Sequence, residues 1–156
     1  MGKKSLIFLD KVNVRNKQAS FHYEFVETYI GGLVLRGTEI KSIRMGKVTL
    51  QDGYCFFSGE ELYLKGAHVS PYGFASFKHH DPDRDKKVLL KKGELKKLER
   101  KMKEKNLTIV PVRLFINDRG YAKIEIALAR GKKVFDKRDS IKEKDVKRDM
   151  ERNSLN

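Results

Sequence analysis

The sequence holds one cysteine, three prolines and no long apolar run. A lone thiol excludes an internal disulfide. Set in the strand-like run Tyr54-Cys-Phe-Phe57, Cys55 reads as a small buried side chain, and the simplest compartment for such a chain is the cytosol. The longest apolar run near the start, Leu6–Leu9, is closed by Asp10. It is too short for a signal-peptide core or a membrane-crossing helix. Gly2 is followed by Lys-Lys-Ser-Leu6, without the hydroxyl residue of a myristoylation signal, and no cysteine stands at the C-terminus. Membrane attachment is therefore not expected. Glycine-rich phosphate loops and dinucleotide fingerprints are also missing, since Arg36-Gly-Thr38 and Arg130-Gly-Lys132 carry single glycines. No spacing of Ser, His and Asp suggests nucleophilic catalysis. The chain reads as a binder rather than an enzyme.

What is abundant is positive charge. The 156 residues include 35 Lys and Arg against 21 Asp and Glu, a formal net charge of +14. That length suits one domain plus an arm. An excess of that size points to a polyanion, with nucleic acid or the ribosome ahead of an anionic membrane.

Along the chain, 1–15 form a basic leader without a clear period. From Phe21 to Leu35 aromatic and β-branched residues predict an extended strand, with Gly31-Gly32 marking a bulge or a barrel corner. Thr38 to Gly46 predicts a short helix, capped by Thr38, with Ile40 and Ile43 on one face and Gly46 as its stop. Strands are expected over Tyr54–Phe57 and Leu62–Leu64 about the turn Ser58-Gly-Glu60, then a loop from His68 to Pro82. A second helix is predicted from Glu94 to Lys105, with Leu95, Leu98 and Met102 on one face, a Glu99–Lys103 pair on another and Asn106 as a left-handed stop. Leu107–Ile116 and Tyr121–Ala129 flank the hairpin turn Asn117-Asp-Arg-Gly120. These elements predict a mainly β fold with short helices. An OB-like antiparallel barrel closes so few strands without open edges and often holds nucleic acid. A flat α+β sheet is the alternative. The expected division is a flexible leader over 1–15, an RNA-binding barrel over 16–130 and a basic tail over 131–156.

Lys78-His-His-Asp-Pro-Asp-Arg84 is the stretch that invites a metal or acid–base reading, on His79, His80 and Asp81. Adjacent histidines point different ways and no second ligand cluster exists, so a proline-stiffened loop presenting polar groups to a partner is favoured, with a plain solvated loop the third option. The basic clusters say more. Lys41, Arg44 and Lys47 recur at threes along the first helix, and Arg84, Lys86, Lys87, Lys91 and Lys92 form a second group. With the tail they favour salt-sensitive nucleic-acid contact. No helix-turn-helix or zinc finger offers a major-groove reader, which points to RNA.

From Arg130 on, ten of the last 27 residues are Lys or Arg and six are Asp or Glu. Ser140-Ile-Lys-Glu143 is a capping box, and Glu143 with Lys147 is a favourable pair. Ile141, Val146 and Met150 make too thin a stripe to pack on a core. Such a tail is expected to be disordered when free and helical only against an enclosing anionic partner.

Several motifs together carry a resemblance: Asn16-Lys17, Gly37-Thr-Glu-Ile-Lys-Ser-Ile-Arg44 with Gly46-Lys47, His68-Val-Ser-Pro-Tyr72, His80-Asp-Pro-Asp-Arg84 with Lys87-Val-Leu-Leu90, Gly131-Lys-Lys133 and Asp136-Lys-Arg138. In this order over roughly Asn16 to Arg152, the chain resembles the SmpB family, the small tmRNA-binding (SsrA-binding) proteins of bacterial trans-translation. The resemblance implies an OB-like barrel with about three helices and a basic tail. It implies binding to the tRNA-like domain of tmRNA, the protein standing where an anticodon arm would be. The tail would enter the empty mRNA channel of a stalled ribosome and fold against rRNA. Elongation factor Tu would be met indirectly, through alanyl-tmRNA, and the protein would act as a monomer without a cofactor. The implied tmRNA-facing set is Asn16, Lys17, Lys41, Ser42, Arg44, His80, Arg84, Lys87 and Lys91. Gly131, Lys132 and Lys133 would form the hinge and first rRNA contact, and Asp136, Lys137 and Arg138 would act at the decoding centre. Lys142, Lys144, Lys147 and Arg148 would hold the tail helix. Two positions depart from the pattern: Ile30 stands where many members have Glu, so a carboxylate contact does not carry over. Phe135 stands where many have His; it can stack on a base but cannot hydrogen-bond or titrate. Two rivals remain, a general OB-type RNA binder without tmRNA specificity and a metal-dependent nuclease on His79, His80 and Asp81.

Overall fold

A computed structural model describes residues 12–71 and 80–132. In chain order these form β1 (Asn13–Arg15), α1 (Lys17–His22), β2 (Tyr23–Leu33), α2 (Gly37–Arg44), β3 (Val48–Thr49), β4 (Tyr54–Ser58), β5 (Glu61–Lys65), β6 (His68–Val69), β7 (Lys86–Leu89), α3 (Lys92–Glu104), β8 (Thr108–Ile116) and β9 (Ala122–Gly131). β8, β4, β5, β7, β2 and β9 pair in that order, and β9 returns to β8, so the sheet closes on itself with every pairing antiparallel. Closure leaves no long open edge. The closed antiparallel barrel expected from the strand count is therefore present, and the flat sheet is not. β1 extends β8, and β3 and β6 form a separate two-stranded ribbon.

Alternation along β9 explains the layers. Ile124, Ile126 and Leu128 point into the main core with Leu62, Leu64, Val88, Ile109 and Leu114, while Ala127 and Ala129 face outward under Ala19 of α1. Those small side chains let the helix lie close on the barrel wall. α1 was not expected: the strand read from Phe21 begins at Tyr23, because Phe21 and His22 finish this helix. Six residues cannot hold a helix by propensity, and packing through Ala19 decides the matter. β1 likewise lies in the stretch read as an unpatterned leader, β6 and β7 were not read as strands, and Gly131, expected in the tail, still pairs with Tyr23.

The corner sits at Gly31-Gly32 as expected. Gly32 pairs both with Lys123 of β9 and with Leu89 of β7, so β2 changes partner there, while its register shift lies earlier, between Phe25 and Glu27. A Cβ on Gly31 would stand 2.6 Å from the Leu89 carbonyl oxygen and 2.9 Å from Leu90 Cδ2. Backbone cannot yield as a side-chain tip can. Gly31→Ala is expected to lower the free energy of unfolding in urea by about 1–3 kcal/mol; an unchanged midpoint would show that β7 gives way freely.

α3 packs Leu95, Leu98 and Met102 on the main core, joins Glu99 to Lys103 at 3.6 Å, and is followed by Asn106 at φ 51°, all as read from the sequence. Cys55 is buried, and desolvation pushes its thiol pKa up. The helix read from Thr38 starts one residue earlier, with Arg36 rather than Thr38 at its N-cap. The leader before residue 12, the segment 72–79 and the tail from Lys133 lie outside the described residues.

Candidate nucleic-acid interface

α2 is amphipathic in an unusual way. Its exposed side carries Lys41 and Arg44, continued by Lys47, while Glu39, Ser42 and Ile43 are completely buried. A carboxylate on the core face of a basic helix needs strong partners. Glu39 Oε1 accepts from the Arg36 backbone N–H at 2.7 Å and from Arg84 Nη2 at 2.6 Å. Oε2 accepts from Arg84 Nε at 3.1 Å and has the Lys86 ammonium 3.9 Å away. The fork-on-fork Arg84 contact is geometrically specific as well as strong.

Lys86 is itself fully buried. Its ammonium donates to the Arg84 carbonyl at 2.7 Å and the Ala67 carbonyl at 3.4 Å. Burial lowers its pKa, with Glu39 pulling the other way. Desolvation also pushes the Glu39 carboxyl up, but the Arg84 guanidinium, the Arg36 amide and Lys86 outweigh it and hold the group below its ordinary range. His80 ties the same helix to the ribbon: Nε2 donates to the Val69 carbonyl at 2.9 Å, and Nδ1 meets the Thr38 hydroxyl at 2.9 Å. Three sequence blocks thus converge on one buried polar seam beneath α2.

That seam sorts the expected RNA-facing residues. Lys17, Lys41, Arg44 and Lys91 present exposed side chains, and Arg44 Nη2 reaches the Gly120 carbonyl at 3.4 Å. Lys87 is half-exposed and bound to Glu61 at 2.8 Å. Arg84 is turned inward to Glu39 with a quarter of its side chain exposed. Ser42, His80 and Asn16 are buried, contrary to an RNA-facing role for their side chains: Asn16 Nδ2 donates to Leu50 O at 3.2 Å and Pro111 O at 2.9 Å. Asn16 and His80 are tied to neighbouring groups of the protein, whereas the Ser42 hydroxyl has no hydrogen-bond partner among the described residues. Glu39 was missed by sequence reasoning, and Lys86, read there as part of a basic cluster for nucleic-acid contact, is buried instead. The signal was there, since Glu39 shares a helix face with Ser42 and Ile43, and Lys86 shares a strand face with Val88.

The metal reading fails at His80, whose two ring nitrogens are already bonded to Thr38 and Val69. Asp81 is exposed and its carboxylate accepts from the Asp83 N–H at 3.0 Å, closing a local turn. His79 is not among the described residues, and among those that are, no group of three or more His, Cys, Asp and Glu could hold an ion. Among them too, no helix is long and apolar enough to cross a membrane. Gly131 ends β9, and the N–H of Lys132 just after it donates to the His22 carbonyl at 2.9 Å. Lys133, Phe135, Asp136, Lys137, Arg138, Lys142, Lys144, Lys147 and Arg148 lie outside the described residues. Ile30 is 55% exposed on β2, directly opposite Glu125.

Comparison with known proteins bears on this interface. A family model described as SmpB protein matches residues 13–156. An SsrA-binding protein of Cytophaga hutchinsonii is 58% identical over 90% of this chain and 92% of its own. One of Phocaeicola vulgatus is 55% identical over 90% and 94%. A relative of Solidesulfovibrio magneticus is still 46% identical over 92% of each chain. Among solved structures, a chain from "tmRNA-SmpB: a journey to the center of the bacterial ribosome" superposes with a TM-score of 0.67 at 44% identity, covering 79% of this chain and 86% of that one. The match runs through the barrel, the seam beneath α2 and the basic tail alike, and this chain belongs to the SmpB family.

Proposed function

We propose that this protein binds the tRNA-like domain of tmRNA and delivers it to stalled ribosomes for trans-translation, replacing the anticodon arm while its tail occupies the empty mRNA channel. The observation that carries the reading is the family match over 13–156, and the geometry beneath α2 supplies the physical sense. Lys41 and Arg44 stand on a helix whose opposite face is locked by Glu39, Arg84 and Lys86, so they meet an RNA backbone without first being ordered. On this reading Lys17, Lys41, Arg44, Lys87 and Lys91 touch RNA. Asn16, Ser42, His80 and Arg84 shape the surface from below.

Gly131, Lys132 and Lys133 lead out of β9 as a hinge. Asp136, Lys137 and Arg138, with Phe135 stacking beside them, serve at the decoding centre. Lys142, Lys144, Lys147 and Arg148 hold the tail against rRNA. The protein acts as a monomeric, non-catalytic adaptor in the cytoplasm and meets elongation factor Tu only through alanyl-tmRNA.

A gel shift of full-length protein on tmRNA at moderate salt, with excess bulk tRNA as competitor, tests this. The complex is expected to survive the competitor. Displacement by tRNA would make the protein a general RNA holder instead. Glu39→Gln should weaken tmRNA binding although Glu39 has no exposed surface, because α2 loses its anchor.

A further inference from the structure

We propose that the RNA-backbone surface extends into the open cleft between β1, α1 and β8, where Arg15 and Arg113 join Lys17 in taking phosphodiester groups. The inference rests on the tmRNA reading and adds two residues, Arg15 and Arg113, that belong to none of the motifs above. The cleft is about 330 Å³, with Phe25 and Val112 as apolar lining beside the three cations and Ser20, and no carboxylate among its lining residues.

The backbone pairing is the first argument. Arg15 lies directly opposite Arg113 across the antiparallel β1–β8 ladder. Like charges at that spacing disfavour a strand pair; Glu125 answers the charge of Arg113, and an anion in the cleft would answer that of Arg15. The second argument is preorganisation. Arg113 Nε donates to Glu125 at 2.8 Å and its guanidinium lies over the Phe115 ring, 4.2 Å from the centroid. The terminal nitrogens have no hydrogen bond among the described residues, and their fork suits a phosphate.

Arg15 is exposed and enters no ion pair among the described residues. Between Arg15 and Lys17, the Asn16 side chain is bolted to Leu50 and Pro111, and its N–H donates to Val112 O at 2.8 Å. Both cations therefore project from fixed backbone. An acidic peptide would also be drawn to cations. RNA is the better fit because Phe25 offers a face for ribose or base next to the phosphate donors.

The test is the salt dependence of binding to tmRNA for the full chain and for Arg15→Gln, Arg113→Gln and the double variant, by gel shift with bulk tRNA as competitor. Among the described residues Arg15 has no ion-pair partner to lose, so its variant is expected to fold as the parent does, and Arg113→Lys keeps a cation for Glu125. Each lost phosphate contact is expected to reduce the slope of log K against log salt by about 0.7–0.9 and to weaken binding several-fold at low salt. If the parent resists tRNA and the Gln variants match it in slope and affinity, the cleft is not an RNA site and the tmRNA reading stands. If the parent itself is displaced by tRNA, that reading falls. The variants then face poly-U, where a shallower slope upholds the cleft and an unchanged one overturns it.

Discussion

Replacing Glu39 with glutamine is expected to lower the free energy of unfolding by about 3–5 kcal/mol near neutral pH. The carboxylate is fully buried and holds Arg84 in two hydrogen bonds, with Lys86 3.9 Å away. An amide keeps the shape but leaves a buried ammonium and an inward-turned guanidinium without their counter-charge. Uncompensated burial, rather than the lost attraction, makes the change severe. Lys86→Met should cost far less, since Arg84 still neutralises Glu39 and a methionine fills the lysine's apolar track. Urea denaturation of the three proteins checks this, and a loss below about 1 kcal/mol for the Glu39 variant would show the seam to be dispensable.

The same pair of proteins gives a pH signature. Glu39 titrates below its ordinary value of 4.5 in the folded chain because Arg84, the Arg36 amide and Lys86 overcome desolvation. Above 4.5 the group is ionised in both states and its full contribution is present. As pH falls through the folded value, the unfolded chain already carries the proton that the folded chain resists, so stability is lost with acid. Glu27, lowered by its hydrogen bonds from Lys101 and then Tyr29, acts in the same direction. The gap in stability between the parent and Glu39→Gln should therefore narrow as pH drops below 4.5. A gap independent of pH would mean that the carboxylate's charge is not what matters.

Much of the barrel was legible because local signals agreed with the global fold. The Asn117–Gly120 turn, the Leu95–Leu98–Met102 face and the Gly31-Gly32 corner each name their own conformation. What escaped was held by tertiary contact. α1 has six residues and β1 three, too short for periodicity, and both exist because α1 packs Ala19 over Ala127 and Ala129 and β1 borrows the edge of β8. β7 was hidden for another reason. Lys86-Lys87 reads as a surface charge pair, and only the closed sheet shows that Lys86 points inward with Val88.

The interface was legible to a lesser degree. Exposed cations on α2 followed from spacing, but His80, Arg84 and Asn16 are polar residues whose partners turn out to be the protein's own backbone, the Thr38 hydroxyl and the Glu39 carboxylate, and Ser42 is buried with its hydroxyl unpartnered among the described residues. One-dimensional pattern does not distinguish a polar residue that binds RNA from one that satisfies a buried group.

Removing residues from Lys133 onward is expected to leave tmRNA affinity largely intact and to abolish tagging of nascent chains on stalled ribosomes. The cut belongs there because Gly131 still pairs with Tyr23 and the Lys132 N–H still bonds His22, so an earlier cut would open the end of β9 and damage the barrel as well. With the barrel whole, Lys41 and Arg44 keep their anchored geometry and the RNA contact survives. The lost segment carries cations and the Phe135-Asp-Lys-Arg138 block but only a thin apolar stripe, a composition that suits an RNA-walled channel and contributes little to a protein core. Two measurements on one truncated protein separate the roles: a competed gel shift on tmRNA, and tagging of a stalled nascent chain in a reconstituted translation mix. Retained binding with no tagging assigns RNA capture to the barrel and ribosome engagement to the tail. A fall in tmRNA affinity comparable to the loss of tagging would mean that the tail grips tmRNA itself, and the division between the two parts would have to be abandoned.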